Sequence, residues 1–293
     1  MGTLVLQAAI SGVLTGGVYA LMAAGLTLIF GVMDIINVAQ GILVVLGAYL
    51  SYVLSVDLGV DLFLGLLVTI PAMFVMGVLI QWVFISRLGE RERTAMSILA
   101  TYSVAIIIEG VLGLIFGEDY VQLNAWYVNK SFYVFGFYLP YIYVFGFLLA
   151  VGLMAALYLM LYRTHFGTSV RATMQDRRAA QLVGIEVDRV AAFTFGIGVS
   201  VTAAGGMVFG PTNAFNPNTG YDLISRLLAI VILGGLGSIG GALAAAVVVL
   251  VAEDIVSVVW SPTWAPFVFF AMLIIVLSVK PSGFFGRAAA RAQ

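Results

Sequence analysis

The chain has 293 residues, 62% of them hydrophobic and 9% charged, with a formal net charge of −1. Soluble domains carry about 25% charged residues, so this composition excludes a soluble fold, and the balanced charge gives no electrostatic basis for binding nucleic acid. The lack of cysteine removes disulfides, thiol catalysis and thiolate metal sites, and a single histidine, His165, leaves no histidine-built metal centre.

Eight apolar segments are drawn from the hydropathy pattern, at roughly 4–31, 41–56, 62–85, 95–116, 141–162, 190–210, 223–252 and 258–279. They predict an all-α, polytopic transmembrane helix bundle, read as a single domain over 1–293. The first segment lacks the basic flank of a cleaved signal peptide and is read as a membrane element. The first and seventh segments are too long for one straight span of about 20 residues. Both contain glycine clusters, so at least one is expected to be broken or re-entrant.

In chain order, Gly12 and Gly16 form a GxxxG pair suited to close helix contact. Asp34, Asn37 and Gln40, within DIINVAQG, then interrupt a long apolar run. Two readings stand for them: a short turn between helices, or a helix broken beside a translocation path. Pro71 is expected to kink the third segment. Glu109 is an ionisable group at membrane depth in the fourth segment, where such groups are expensive and usually functional. Tyr120, Trp126, Tyr127, Phe132 and Tyr133 fill the next link and read as an interfacial aromatic belt.

The stretch 163–189 is polar and rich in arginine between two apolar runs, so it cannot cross a bilayer. Thr168 or Ser169 is expected to cap a helix over 170–183, and Gly184 to stop it. A solvated linker and a short helix docking into a partner groove are both compatible with this pattern. Gly206 and Gly210 repeat the GxxxG spacing, and Arg226 opens the seventh segment near the outer headgroups. That segment either enters from outside and turns back near Gly234 to Gly241, or splits into two short spans.

Basic residues cluster in three places: Arg87, Arg91 and Arg93; Arg163, Arg171, Arg177, Arg178 and Arg189; and Lys280, Arg287 and Arg291. The positive-inside rule assigns these to the cytoplasm, with the N-terminus outside and the 163–189 stretch and the C-terminus inside. Asp57, Asp61, Glu118, Asp119, Asp222, Glu253 and Asp254 then fall on outward links, with Lys130 as the basic exception. No GxxxxGK[ST], GxSxG or HExxH motif occurs, so catalysis and ordinary ATP binding by this chain are not expected, and no cofactor or metal is assigned to it.

Three stretches resemble one family. GTSVRATMQDRRAAQLVGIEVDRVAAFTFGIG, GGVYALMAAGLTLIFGVMDIINVAQGILVVLGAY and LAIVILGGLGSIGGALAAAVVV are similar to signatures of the Liv-type branched-chain amino acid ABC importer permeases, in the family's order. The resemblance implies a permease subunit of an importer for branched-chain or other apolar amino acids, in the inner membrane. Its partners would be a second permease subunit, two cytoplasmic ATPases carrying ATP and Mg, and an extracytoplasmic solute-binding protein. Gly167, Arg171, Ala172, Asp176, Ala179, Ala180, Gly184 and Ile185 would then couple to an ATPase. Asn37, Gln40, Gly41, Glu109, Gly234, Gly235 and Gly237 are the candidates for the substrate path. Family members usually have a histidine and then an acidic residue where Gln40 and Ile42 stand, which opens the substrate class to urea or short amides. A stand-alone ion-coupled carrier, with Glu109 as its coupling group, is a rival of another class. A membrane scaffold without transport is a further one.

Overall fold

The computed structural model describes residues 1–88, 93–134, 136–280 and 282–284. Arg91, Arg287 and Arg291, counted above for orientation, lie outside the described residues. Among the described residues, seven helical stretches are long and apolar enough to cross a membrane. The fold is a polytopic helical bundle, as its composition predicts.

Two helices make the centre. α1 (Gly2–Met33) and α8 (Val187–Thr212) have 72% and 83% of their apolar windows buried, whereas α4 (Arg93–Phe116) and α5 (Tyr141–Arg163) have 22% each. The central helices owe their proximity to small residues, because lipid supplies no hydrophobic drive between helices and association depends on close packing. A Cβ on Gly198 would lie 2.8 Å from Gly25 O, so the two backbones touch there. Gly12 and Gly16 do the same against α10 (Ile239–Val259), at Val251 and Val247. α3 (Leu62–Ile80) continues as a π-helical turn through Ile85, stays helical through Pro71 and packs Gly77 on Gly196.

The first long segment is one unbroken helix of 32 residues. It ends where Asp34 takes a left-handed backbone (φ 56°) and its N–H reaches Phe30 O at 2.8 Å. The chain then turns back inward. Gln40 Nε2 lies beside Gly25, so the side chain that opens α2 (Gln40–Val56) reaches a point about 12 Å inside the end of α1 at 1.5 Å per residue. The link is therefore not a surface turn. Thr101 of α4 supports its backbone: the Val38 N–H donates to Thr101 Oγ1 at 3.0 Å, and that hydroxyl donates to Ser97 O at 2.7 Å. Irregular backbone at depth is tolerated only where protein or a wet cavity satisfies it.

A second interruption follows α8. Phe215 pairs with Val121 through two 2.9 Å backbone bonds and packs edge-on against Tyr49. Gly220 lies against Ile42, two turns deeper along α2. The buried turn between them is closed by Asn216 and Thr219, each accepting the other's backbone N–H, at 3.1 and 3.0 Å. α9 (Gly220–Gly234) thus begins inside the bundle.

The seventh segment divides at Gly235–Ser238 into α9 and α10. Of the two readings of this segment, the hairpin that turns back within the membrane is corrected by where this turn lies. Gly237 and Met174 both adjoin Gly31 near the end of α1, and the Phe284 N–H reaches Leu233 O at 2.7 Å. The turn therefore sits at the same end of the bundle as residues 165–184 and 282–284, and both halves travel toward or away from that end. α11 (Ala265–Val279) closes the bundle.

A hairpin of β1 (Ser131–Val134) and β2 (Phe137–Pro140) follows α4, an element the hydropathy pattern did not foresee. Gln7 of α1 pins it with bonds of 2.6 and 3.0 Å to the Tyr138 backbone. Around it Tyr120, Trp126 and Tyr133 are exposed and Lys130 lies over Trp126, the placement of interfacial anchors. Tyr127 is the exception, buried below them.

Candidate functional site

Two polar regions stand out from the apolar bundle. The first lies where both interruptions meet. Asn37 and Gln40 are fully buried, as is Thr202 of α8. Asn37 Nδ2 donates to Gln40 Oε1 at 2.8 Å, Gln40 Nε2 donates to Thr202 Oγ1, and that hydroxyl donates to Gly198 O at 2.8 Å. Buried amides cost free energy unless paired, and this chain of donors pairs most of them. Among the described residues, Asn37 Oδ1 has no partner. Gly41 is required here by proximity: a Cβ would lie 2.0 Å from Gly220 O and 2.7 Å from Ile224 N. It lets the starts of α2 and α9 cross.

Beside this crossing is a pocket lined by Val38, Ile42, Ala105, Glu109, Pro217 and Ile224, together with Gly220 and Tyr221. The Tyr221 hydroxyl donates to Glu109 Oε2 at 2.5 Å. Tyr221 is 41% exposed, so the pocket opens at the flank of the bundle.

Four of the residues proposed for the path, Asn37, Gln40, Gly41 and Glu109, are therefore brought together. Gly234, Gly235 and Gly237 are not. They lie at the far end of α9, about 20 Å away along the helix axis. There Gly234 packs on the Gly241 backbone, and Gly235 and Gly237 adopt φ of 95° and 79° to make the turn. Arg226, expected near headgroups, instead pairs with Glu253 of α10 at 3.0 and 3.1 Å and stacks on Phe269. That pairing, across 27 residues, was not legible beforehand.

The second region is a pair of helices at the Met33 end of α1. The single helix expected over 170–183 is two: α6 (His165–Gln175) and α7 (Arg177–Leu182). Thr164, not Thr168 or Ser169, caps the first, accepting the Gly167 N–H at 3.0 Å. Thr168 and Ser169 point their hydroxyls back to Thr164 O and His165 O instead. Asp176 divides the helices because its carboxylate accepts the N–H groups of Arg178 and Ala179, at 2.9 and 3.0 Å, and so starts a new helix. Gly184 stops α7 with φ 85°, its N–H reaching Gln181 O while that of Ile185 reaches Ala180 O, both at 3.0 Å. Gly167 sits so close to α5 that a Cβ would lie 2.2 Å from Met160 O.

This pair is anchored on one side and open on the other. Val170, Thr173 and Ala180 are buried, with Ala172 and Ile185 partly so. Met174 reaches Gly31 of α1, Arg177 pairs with Asp188 of α8 at 2.9 Å, and Arg171 lies over Tyr162. Outward stand Leu182 and Val183, 88% and 77% exposed. Sequence reasoning passed over both. Their signal was present, since two adjacent apolar side chains just before the stop glycine have no lipid to face.

Two interrupted helices that meet inside an apolar bundle, with an amphipathic helix pair anchored at one end, make up a multi-pass membrane transport protein. The family model described as branched-chain amino acid transport system / permease component matches residues 8–277, and the chain belongs to that family. It is 30% identical to the high-affinity branched-chain amino acid transport system permease protein LivH of Escherichia coli K12, over 96% of each chain. It is 29% identical to LivH of Salmonella typhimurium, again over 96% of each. It is 28% identical to the permease protein BraD of Pseudomonas aeruginosa, with the same coverage.

Proposed function

We propose that this chain is the permease subunit of an ATP-driven importer for branched-chain or other apolar amino acids. Its full-length likeness to LivH and BraD is the observation that carries the reading. In this account it works by alternating access, beside a second permease subunit that is related or identical. Two ATPase subunits bind ATP and Mg, and a solute-binding protein delivers substrate on the opposite side.

The α6–α7 pair is the proposed docking element. Leu182 and Val183 enter an apolar groove of the ATPase, while Arg171 and the rest of the outward face meet its polar rim. The contacts of Met174 with Gly31 and of Arg177 with Asp188 make the pair a lever on α1 and α8. Gly167, Ala172, Asp176, Ala179, Ala180, Gly184 and Ile185 set its shape. The end bearing this pair and Lys280 is assigned to the cytoplasm of a cell with this protein in its inner membrane.

The experiment is leucine uptake in cells with and without the partner ATPases. The reading expects accumulation only with them. Uptake that persists in their absence would favour a stand-alone carrier and sink the proposal. Uptake of urea in place of leucine would keep the importer and change its substrate.

A further inference from the structure

The outward surfaces of this bundle are not alike. Every exposed residue on α3 is apolar, which suits lipid. α5 has as little of its window buried as α4 and carries no acidic residue. The flank where Tyr221 of α9 meets α4 is different. The Tyr221 hydroxyl donates to half-buried Glu109, and exposed Tyr102 stands beside Tyr221. Asp222 and Ser225 follow on α9 and are exposed too. Asp222, expected on an outward link, makes no hydrogen bond among the described residues. Arg226, one turn on, attracts it but is bonded to Glu253.

Depth makes these groups costly. At 1.5 Å per residue, Glu109 lies about 10 Å inside the Phe116 end of α4, and Asp222 about 18 Å from the Gly234 end of α9. Both fall within a hydrocarbon layer about 30 Å thick. Carboxylates at such depth turn to protein or water rather than to lipid.

The same flank has room for a helix. Tyr102, Ile106, Gly110 and Gly113 share the outer face of α4, spaced by four, four and three residues. A Cβ on Gly110 or Gly113 would meet nothing within 4 Å. Small residues so placed let a second backbone approach closely. Whatever covers this face must itself span the membrane, because the uncovered carboxylates lie at membrane depth. The ATPases and the solute-binding protein of the proposed importer work at the two membrane surfaces instead.

We infer that the second permease subunit packs on this flank, against the face of α4 bearing Gly110 and Gly113, and brings hydrogen-bond donors to Glu109 and Asp222. This rests on the importer function proposed above and adds where its two membrane subunits meet.

The test places a photoreactive benzoylphenylalanine at Ile106 of the assembled importer in membranes, with Leu67 of α3, 76% exposed, as the control position. Irradiation is expected to join position 106 to the second permease subunit and position 67 to lipid alone. Copurification is the second measurement. Gly110→Trp and, on α5, Gly152→Trp both enter open space, so neither disturbs the packing of the chain itself. Only Gly110→Trp overfills the proposed contact, and it is expected to lower recovery of the second subunit by about tenfold or more. A lipid adduct alone at 106, or an adduct with the second subunit at 67, overturns the inference and leaves the importer standing. Equal recovery with the two tryptophan variants overturns it as well. A wild-type complex that holds no second permease subunit overturns the importer reading first.

Discussion

Asn37 and Gln40 are fully buried and bonded to each other inside the bundle, whereas Leu182 and Val183 stand 88% and 77% exposed at one end of it. Each pair breaks the ordinary rule for its surroundings. Polar groups sit in the core, and apolar groups face water. The buried pair meets most of its hydrogen-bonding needs within the chain, through Thr202 and the close approach at Gly25, Gly41 and Gly198. The exposed pair has no such internal resolution, and its natural resolution is another protein. Substitutions in the first region should therefore show up as lost stability, and those in the second as lost coupling with stability intact.

The largest stability effect is expected from Gly41→Val. Its branched side chain would overlap Gly220 O and Ile224, forcing α2 and α9 apart at a cost of about 3 kcal/mol or more. Low membrane yield and a lowered unfolding temperature in detergent would show it, and a wild-type yield would mean that the crossing is loose. Gln40→Leu comes next. It strands Asn37 Nδ2 without its acceptor, for about 1–3 kcal/mol, and a thermal shift assay reads the loss. Asp176→Ala is smaller, about 1 kcal/mol for a lost cap. It falls on the exposed region, so ATP-driven uptake is expected to suffer more than the unfolding temperature does. If stability falls as far there as with Gln40→Leu, the contrast between the regions fails.

The sequence revealed these regions unequally. The membrane bundle was legible because about 18 or more apolar residues in a row have few other homes, and the arginine-rich stretch was legible because it cannot enter lipid. Gly184 was readable as a stop since its left-handed backbone is a local matter. Asp176 was readable as important but not as a divider, because a capping carboxylate looks the same in sequence as a solvated one. The fold-back at 34–40 depends on Thr101 and Thr202, which are 60 and more residues away, so a turn and a broken helix could not be told apart. The same distance hid the Arg226–Glu253 pair, and the meeting of Glu109 with Tyr221 112 residues later. The glycines at 234, 235 and 237 looked like path residues because glycine clusters serve both buried turns and pathways.

The account turns most on the claim that α6 and α7 receive the motion of a partner ATPase. The direct test is the double variant Leu182→Glu with Val183→Glu, in proteoliposomes holding the assembled importer. Exposed substitutions of this kind stay within about 0.5 kcal/mol of the parent in stability. Unfolding should be unchanged, while leucine uptake and the stimulation of ATP hydrolysis by loaded binding protein should both collapse. Uptake and stimulation at wild-type levels would contradict the account.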